Sequence, residues 1–279
     1  MPRSGGSSKP KSDYAIQTVT NALRMLEVFH TETEMGVSDL ARRLGLHKNN
    51  AFRLLATLEL AGYIQQTPET ELYHLGPRCL ELAHAFARSH TLMRQARPIL
   101  EELARDCGET AHLGVLSRGD RGDEVVHLDG VQPAQLVLTG SRVGERLPAH
   151  CTALGKVLLA HAPGYGAPSA TAAAARGLAA ERREHPLGRY TEATVTDRDK
   201  LAEELRGVQL RGYATDLEEF CAGLQCVAAP VRDASQRVVA AISLSGPSLR
   251  LTEEALHGAA AAAITKAAAR LSRELGSAA

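Results

Sequence analysis

The chain has 279 residues, which is enough for two ordinary domains or one large domain with a well-buried core. Lysine plus arginine equals aspartate plus glutamate, at 32 each, so no global positive field attracts nucleic acid and any such binding needs a local basic patch. Aromatic residues make up only 4% of the chain and Trp is absent, which argues against a stacking platform for single-stranded nucleic acid.

Targeting signals are also missing from the sequence. The polar start is not followed by the apolar core of a signal peptide, and no apolar run is long enough to span a membrane. The five cysteines, an odd number scattered through a long chain, indicate reduced thiols. We therefore expect a soluble, cytoplasmic protein.

The N-terminal part has the pattern of a winged helix-turn-helix. Residues 1–12 are rich in Ser, Gly, Lys and Pro and are predicted to be a disordered lead-in, and residues 13–76 hold three helical patterns and a hairpin. The second helix, VSDLARRLG, has Ser38 as its predicted N-cap and Gly45 where a helix end favours glycine. A third helix, KNNAFRLLATLELAG, ends at Gly62, and the strands YIQQ and ELYHLG then flank the turn TPET.

The third helix is the candidate for sequence recognition. The second helix of such a motif enters the major groove by its N-terminal end, where Asn binds adenine and Arg or Lys binds guanine. Arginines just before it suit phosphate contacts, and residues 42–58 contain no acidic side chain. The alternative is a purely structural or protein-binding winged helix. The predicted DNA-binding residues are Arg42, Arg43, His47, Lys48, Asn49, Asn50 and Arg53.

The remaining chain predicts a linker and a second domain. A helix over 77–90 is predicted to be a linker, and helices and strands then alternate over 91–279. Pro98 is expected to break or start a helix, Thr196 to cap a second and Thr252 to cap the last. Strands are predicted at 111–116, 124–129, 135–138, CVAAPV and VVAAISLS. Helices packed on a mostly antiparallel sheet make this an α+β domain.

One loop-to-helix junction, GERLPAHCTALGKVLLA, is a candidate anion site. The first backbone amides of its helix, at Ala153 and Leu154, have no partner within the helix, and Lys156 would add positive charge. An ordinary junction with a solvated lysine explains the same residues equally well.

Two serines in a predicted strand are candidate pocket residues. Ser243 and Ser245 are two apart and therefore share a face of the sheet. They either line a pocket or face solvent, and the apolar Ile242 and Leu244 on the opposite face slightly favour solvent.

Cysteines near acidic residues raise two alternative chemistries. The cluster consists of Asp216, Glu218, Glu219, Cys221 and Cys226. With His150 it is a candidate metal site, although free thiols are favoured because no second close pair of cysteines accompanies the first. Cys151 beside His150 suggests a thiol nucleophile with its base, but neighbours in sequence seldom face each other.

The order of these segments resembles the IclR family of bacterial transcriptional regulators from about Ala15 to Gly276. The resemblance is carried by VSDLARRLGL, FRLLATLELAGYI, YHLGPRCLELA, LEELARDCGETAHLGVL, RVGERLPAHCTALGKVLLA, GYATDLEEFCAGLQCVAAPV and VVAAISLSGP. It implies an N-terminal winged helix, a linker helix and a C-terminal GAF-like α+β effector-binding domain. It further implies dimers or dimers of dimers on operator DNA and a response to small organic molecules, often carboxylic or aromatic acids.

The resemblance also implies where the effector lies. Ala153 and Leu154 match the amides that hold an effector carboxylate, which favours the anion site. The positions that contact ligand in small-acid-binding relatives are Asp216, Leu224, Cys226, Ser243 and Ser245. This implication reverses the solvent-facing interpretation of the serines. A carboxylate at Asp216 that faces an anion requires a proton, a water or a non-anionic ligand group between them. Residues 163–184 depart from the family pattern.

The sequence therefore predicts an effector-responsive regulator that binds a palindromic operator, with no catalytic activity, no cofactor and no metal. Two alternatives stay open: a metal-responsive repressor that uses Cys221, Cys226 and His150, and a thiol-dependent enzyme with an accessory winged helix.

Overall fold

The computed structural model describes residues 14–119, 122–133, 142–165 and 186–277. The chain divides into two compact units, one ending at Ser89 and the other beginning at His90. The predicted lead-in over 1–12, the predicted strand at 135–138 and most of the segment 163–184 lie outside the described residues. None of the described helices combines the length and apolar composition that a membrane crossing requires.

The first unit is a three-helix motif with a small wing, as predicted. Its elements are α1 (Gln17–Glu27), a 3-10 turn (Val28–His30), α2 (Val37–Leu44), α3 (Lys48–Leu60), β1 (Ile64–Gln66), β2 (Tyr73–Leu75) and α4 (Arg78–Ser89). Strands β1 and β2 pair antiparallel. Gly45 ends α2 in the left-handed conformation at φ 67°, so the glycine is required at the turn between α2 and α3.

The prediction of Ser38 as the N-cap of α2 is wrong. The N-cap is Gly36, with extended backbone and no side-chain cap. A backbone bridge between Met35 and Tyr73 keeps the chain extended up to this point, so the helix begins directly after it. Ala51 and Leu55 of α3 have no solvent exposure and pack in the core of this unit.

The second unit is built around one sheet. Its elements are α5 (Thr91–Cys107), β3 (Thr110–Gly119), β4 (Gly122–Val131), β5 (Arg146–Pro148), a 3-10 turn (Ala149–Cys151), α6 (Ala153–Ala160), α7 (Arg198–Arg211), β6 (Ala214–Leu217), β7 (Leu224–Arg232), β8 (Val238–Pro247), α8 (Glu253–His257) and α9 (Ala259–Glu274). The described strands form a six-stranded sheet in the order β5-β4-β3-β8-β7-β6, with every pair antiparallel. The predicted α+β fold is confirmed.

Helices cover both faces of this sheet. Alternation along β8 sends Ile242 and Leu244 into a core formed with α5 and α9. On the other face, Ala241 packs in a second core with α6 and α7. Ser243 and Ser245 lie on this second face and are buried, so the solvent-facing interpretation of the two serines is wrong.

Three local predictions need correction. Pro98 lies inside α5, because the buried residues around it, including Ile99 and Leu100, supply packing that offsets the lost hydrogen bond. Asp197 and not Thr196 caps α7, since its carboxylate accepts from the backbone of Asp199 at 2.8 Å and of Lys200 at 3.0 Å. Thr252 caps a helix as predicted, but that helix stops at a break around Gly258 and α9 follows it.

Candidate ligand cavity and nucleic-acid interface

The start of α3 presents the predicted DNA-binding side chains to solvent. All seven predicted residues are exposed. His47 is the N-cap of α3 and its Nδ1 accepts from the backbone N–H of Asn49 at 3.4 Å. Among the described residues, Lys48 and Arg53 have no ion pair, so their charges are available to phosphates or base edges.

The two arginines at the end of α2 are already paired. Arg42 contacts Asp39 at 2.5 Å, and Arg43 contacts Glu32 at 2.7 Å and Thr31 at 3.1 Å. These pairs orient the guanidinium groups and reduce their net charge. We therefore expect a smaller contribution to DNA affinity from Arg42 and Arg43 than from Arg53.

A single cavity in the second unit collects every predicted effector residue. It lies between the N-terminal end of α6 and strands β3, β4, β6, β7 and β8. Its lining contains Ala153, Leu154, Asp216, Leu224, Cys226, Ser243 and Ser245, together with His112, His127, Arg142, Leu147, Thr152 and Phe220. These thirteen residues come from segments up to about 130 positions apart in the chain, which only the folded sheet brings together.

The first turn of α6 presents free amides to this cavity. Thr152 is the N-cap, and its Oγ1 accepts from the backbone N–H of Gly155 at 3.3 Å. The N–H groups of Ala153 and Leu154 have no hydrogen-bond partner among the described residues, although both residues are buried. Buried amides without a partner are costly, and the helix dipole at this end favours a negative charge.

Lys156 does not supply the positive charge expected from the sequence. Its side chain is fully buried, and its Nζ donates to Glu204 Oε1 at 2.6 Å, to the Thr215 carbonyl at 3.1 Å and to Glu219. Burial alone would lower the pKa of the amine, but Glu219 and Glu204 more than offset burial and the pKa lies above its ordinary value. The ammonium is therefore neutralised inside the protein.

The side chain of Asp216 is a buried carboxyl group with a raised pKa. It is 2% exposed, and its Oδ1 accepts from the backbone N–H of Glu219 at 2.8 Å. Burial raises its pKa to about 7. Near neutral pH the side chain can therefore stand as a neutral acid that donates a hydrogen bond to an anionic ligand.

Asp216→Asn is expected to change the pH dependence of stability. The pKa of Asp216 in the folded protein lies above the ordinary 3.8, so the folded protein keeps a proton that the unfolded chain releases. The protonated carboxyl therefore contributes to the free energy of unfolding at low pH, and this contribution is lost as pH rises through about 7. Asn cannot titrate, so the stability of the variant relative to the wild type should rise by on the order of 2 kcal/mol from pH 5 to pH 8. Urea unfolding at both pH values measures the difference, and a pH-independent difference would contradict this role.

The cysteines do not form a nucleophilic or metal-binding group. Burial raises the pKa of both the Cys151 and Cys226 thiols well above the ordinary value, so both stay neutral. The His150 ring donates to the Gly188 carbonyl at 2.9 Å. Within the described ranges, no group of three or more His, Cys, Asp or Glu side chains is placed to hold a metal ion.

A wider cleft of about 520 Å³ lies next to the cavity. It is lined by charged and aromatic side chains that include Arg118, Arg146 and Tyr190, but by none of the seven predicted effector residues. Tyr165 and Pro186, which flank the undescribed residues 166–185, form part of its wall. The seven predicted effector residues therefore lie together in the cavity at α6 and not in this cleft.

Four polar cavity residues were not predicted from the sequence: Thr152, which caps α6, and His112, His127 and Arg142. His112 and His127 lie on strands that were predicted, and their side chains are buried against each other with ring centroids 5.4 Å apart. The alternation of each strand could have placed them on one face, but not opposite α6. Arg142 lies in a loop and pairs with Glu145 at 3.0 Å, and no pattern in the sequence predicts its position.

A helix-turn-helix unit, in one chain with an α+β unit that holds a small cavity, is the architecture of a ligand-responsive transcriptional regulator. The chain belongs to the IclR family: residues 84–273 match the C-terminal domain of the bacterial transcriptional regulator IclR, and residues 18–68 match the IclR helix-turn-helix domain. The protein is thus a DNA-binding transcriptional regulator with an effector-binding domain and not an enzyme.

Individual relatives agree with this assignment. The chain is 36% identical over 242 residues to the HTH-type transcriptional regulator XynR of Escherichia coli, covering 86% of this chain and 90% of XynR. An IclR transcriptional regulator from Alicyclobacillus acidocaldarius has a similar structure, with a TM-score of 0.79, 26% identity and coverage of 94% of this chain and 100% of that one. An IclR homologue from Microbacterium hydrocarbonoxydans complexed with 4-hydroxybenzoate gives a TM-score of 0.74 at 27% identity, covering 92% and 98%.

Proposed function

We propose that the cavity binds a small carboxylic or aromatic acid whose carboxylate accepts from the amides of Ala153 and Leu154. The observation that carries the proposal is the pair of buried, unpartnered amides at the dipolar start of α6, in residues that line one cavity with Ser243 and Ser245. A proton on Asp216 removes the repulsion that its carboxylate would cause. The 4-hydroxybenzoate complex of the Microbacterium homologue supports an acid of this kind.

The proposed partner of the first unit is a palindromic operator in the cytoplasm, bound by paired copies of the chain. Residues 13–76 would form the DNA-binding domain, 77–90 the linker helix and 91–279 the effector-binding domain. Exposed apolar side chains support pairing of copies: Ile16, Val19 and Leu23 along α1, and Leu80, Leu82 and Phe86 along α4, each at least 45% exposed. Two recognition helices then lie about one DNA turn, roughly 34 Å, or a multiple apart.

Regulation requires that the acid bind one arrangement of the paired DNA-binding units better than another. A ligand with equal affinity for both arrangements would leave operator binding unchanged. The acid can change DNA affinity by no more than the ratio of its affinities for the two arrangements. By linkage, bound DNA changes acid affinity by the same factor as bound acid changes DNA affinity, so either measurement reports the coupling.

Ala153→Pro tests the acid site through the backbone. Proline is accepted at the first position of a helix, and Thr152 already has the extended backbone that a residue before proline adopts. The variant removes one amide donor, so acid affinity should fall by about tenfold or more, the value of one hydrogen bond to a charged group. Isothermal titration with pyruvate, benzoate and 4-hydroxybenzoate measures the change.

The matched control is Glu253→Pro, the same change at the first position of α8, where the residue is exposed. This variant should keep the wild-type acid affinity. Unchanged acid binding by folded Ala153→Pro would contradict the proposed site.

A further inference from the structure

His127 is a residue of the cavity wall with a buried ring nitrogen that has no hydrogen-bond partner among the described residues. The residue lies on β4, is 4% exposed and lines the cavity beside α6. Its backbone N–H donates to the Glu145 carbonyl at 3.0 Å, and the same carbonyl favours a proton on the ring, whereas the ring Nδ1 is buried and has no partner among the described residues. Because Nδ1 has no partner, the ring nitrogen that the Glu145 carbonyl favours for protonation is Nε2.

The protonation state of the His127 ring makes Nδ1 a hydrogen-bond acceptor. Burial lowers the pKa of His127 to about 4, so the ring is neutral near pH 7 and carries one proton. We assign that proton to Nε2, on the side of the Glu145 carbonyl, which leaves a lone pair on the buried Nδ1. A buried acceptor of this kind is satisfied only by a donor from outside the described protein groups, either a water or a ligand.

The position of His127 relative to α6 follows from the sheet register. Its partner across the β3–β4 pair is Gly114. A Cβ at Gly114 would lie 3.2 Å from Leu154 Cδ1 and 2.7 Å from Val125 Cγ1, so the missing side chain lets the first turn of α6 pack directly on the sheet at this point. His127, Ala153 and Leu154 therefore line the same small cavity.

We propose that the effector is a hydroxylated acid, whose carboxylate accepts from the α6 amides and whose hydroxyl donates to Nδ1 of His127. This inference rests on the acid site proposed above and adds the feature that selects among acids. An acid without the hydroxyl leaves the buried acceptor unpaired, and sites built to pair a hydroxyl reject such analogues strongly.

Paired ligands test the proposal in the full-length protein. The pairs are glycolate and acetate, lactate and propionate, and 4-hydroxybenzoate and benzoate, each measured by isothermal titration. The wild type should prefer the hydroxylated member of at least one pair by about tenfold or more. His127→Phe keeps a planar ring without the acceptor, so this preference should fall to within about twofold.

His161→Phe is the matched control, because this partly buried histidine lines neither the cavity nor the wider cleft. It should keep the wild-type preference. If His127→Phe does not fold, nitrogen-15 spectra of histidine-labelled wild type give the second readout: the Nδ1 resonance of His127 should move when the preferred hydroxy acid binds and stay in place with its deoxy partner.

The outcomes separate the two proposals. Equal affinity for both members of every pair, or a preference that survives in His127→Phe, overturns the hydroxyl assignment and leaves the acid site standing. An unmoved Nδ1 resonance with a bound hydroxy acid overturns it as well. Failure of all six acids to bind the wild type contradicts the acid site itself and the hydroxyl assignment with it.

Discussion

Lys156→Met should destabilise the second unit by about 3–5 kcal/mol, the usual result of removing one partner from a buried ion pair. The side chain of Lys156 is fully buried and neutralises Glu219, which is 6% exposed. Without the ammonium, Glu219 keeps a buried charge and faces Glu204 without compensation. Urea unfolding followed by circular dichroism measures the loss.

Two further variants test whether the stability lost in Lys156→Met comes from the unpaired charge of Glu219. Adding Glu219→Met to Lys156→Met removes the unpaired buried carboxylate, so much of the lost stability should return. Arg270→Met breaks an ion pair with Glu102 in which both side chains are about half exposed, and its unfolding midpoint should barely move. A loss in Lys156→Met below about 1 kcal/mol would show that the buried network contributes no more than a surface pair.

Arg53→Ala should weaken operator binding by about 1–3 kcal/mol, which is roughly tenfold to a hundredfold. Arg53 is exposed on α3 and has no ion pair among the described residues, so no intramolecular partner competes with DNA for its guanidinium group. Asn50→Ala should also change the base preference, because the amide can bind adenine through two hydrogen bonds. Fluorescence anisotropy with operator variants measures both effects.

Arg105→Ala is the control for a lost positive charge. Arg105 is an exposed arginine at the end of α5, in the other unit, and its replacement should leave operator affinity nearly unchanged. Wild-type affinity in both Arg53→Ala and Asn50→Ala would refute the assignment of α3 as the recognition helix.

Local patterns predicted the elements of the fold better than their ends. Gly45 was predicted to end a helix and does so in the left-handed conformation, because few other residues adopt it without strain. The strands β5 and β6, of three and four residues, were not predicted, because short polar segments lack measurable alternation. Pro98 was misinterpreted because packing around it is a tertiary effect.

For the cavity, too, the sequence predicted what a local pattern determines and missed what depends on contacts between distant segments. The period of β8 predicted that Ser243 and Ser245 share a face, but only the position of α6 makes that face the buried one. Lys156 was expected to act on a ligand, and its pairing with Glu204 and Glu219, 48 and 63 positions away, was not visible in the sequence. The position of His127 depends on the register of the β3–β4 pair, which no pattern along the sequence predicts.

The central claim is that an acid in the α6 cavity controls operator binding by the first unit. The most direct test is an anisotropy titration of the purified protein against the DNA upstream of its own gene and against random DNA, across a salt series, with and without the acid that binds best. We predict preferential binding to the upstream fragment that falls steeply with salt and shifts when the acid is added. Equal, weak binding to both fragments that the acid leaves unchanged would contradict the claim.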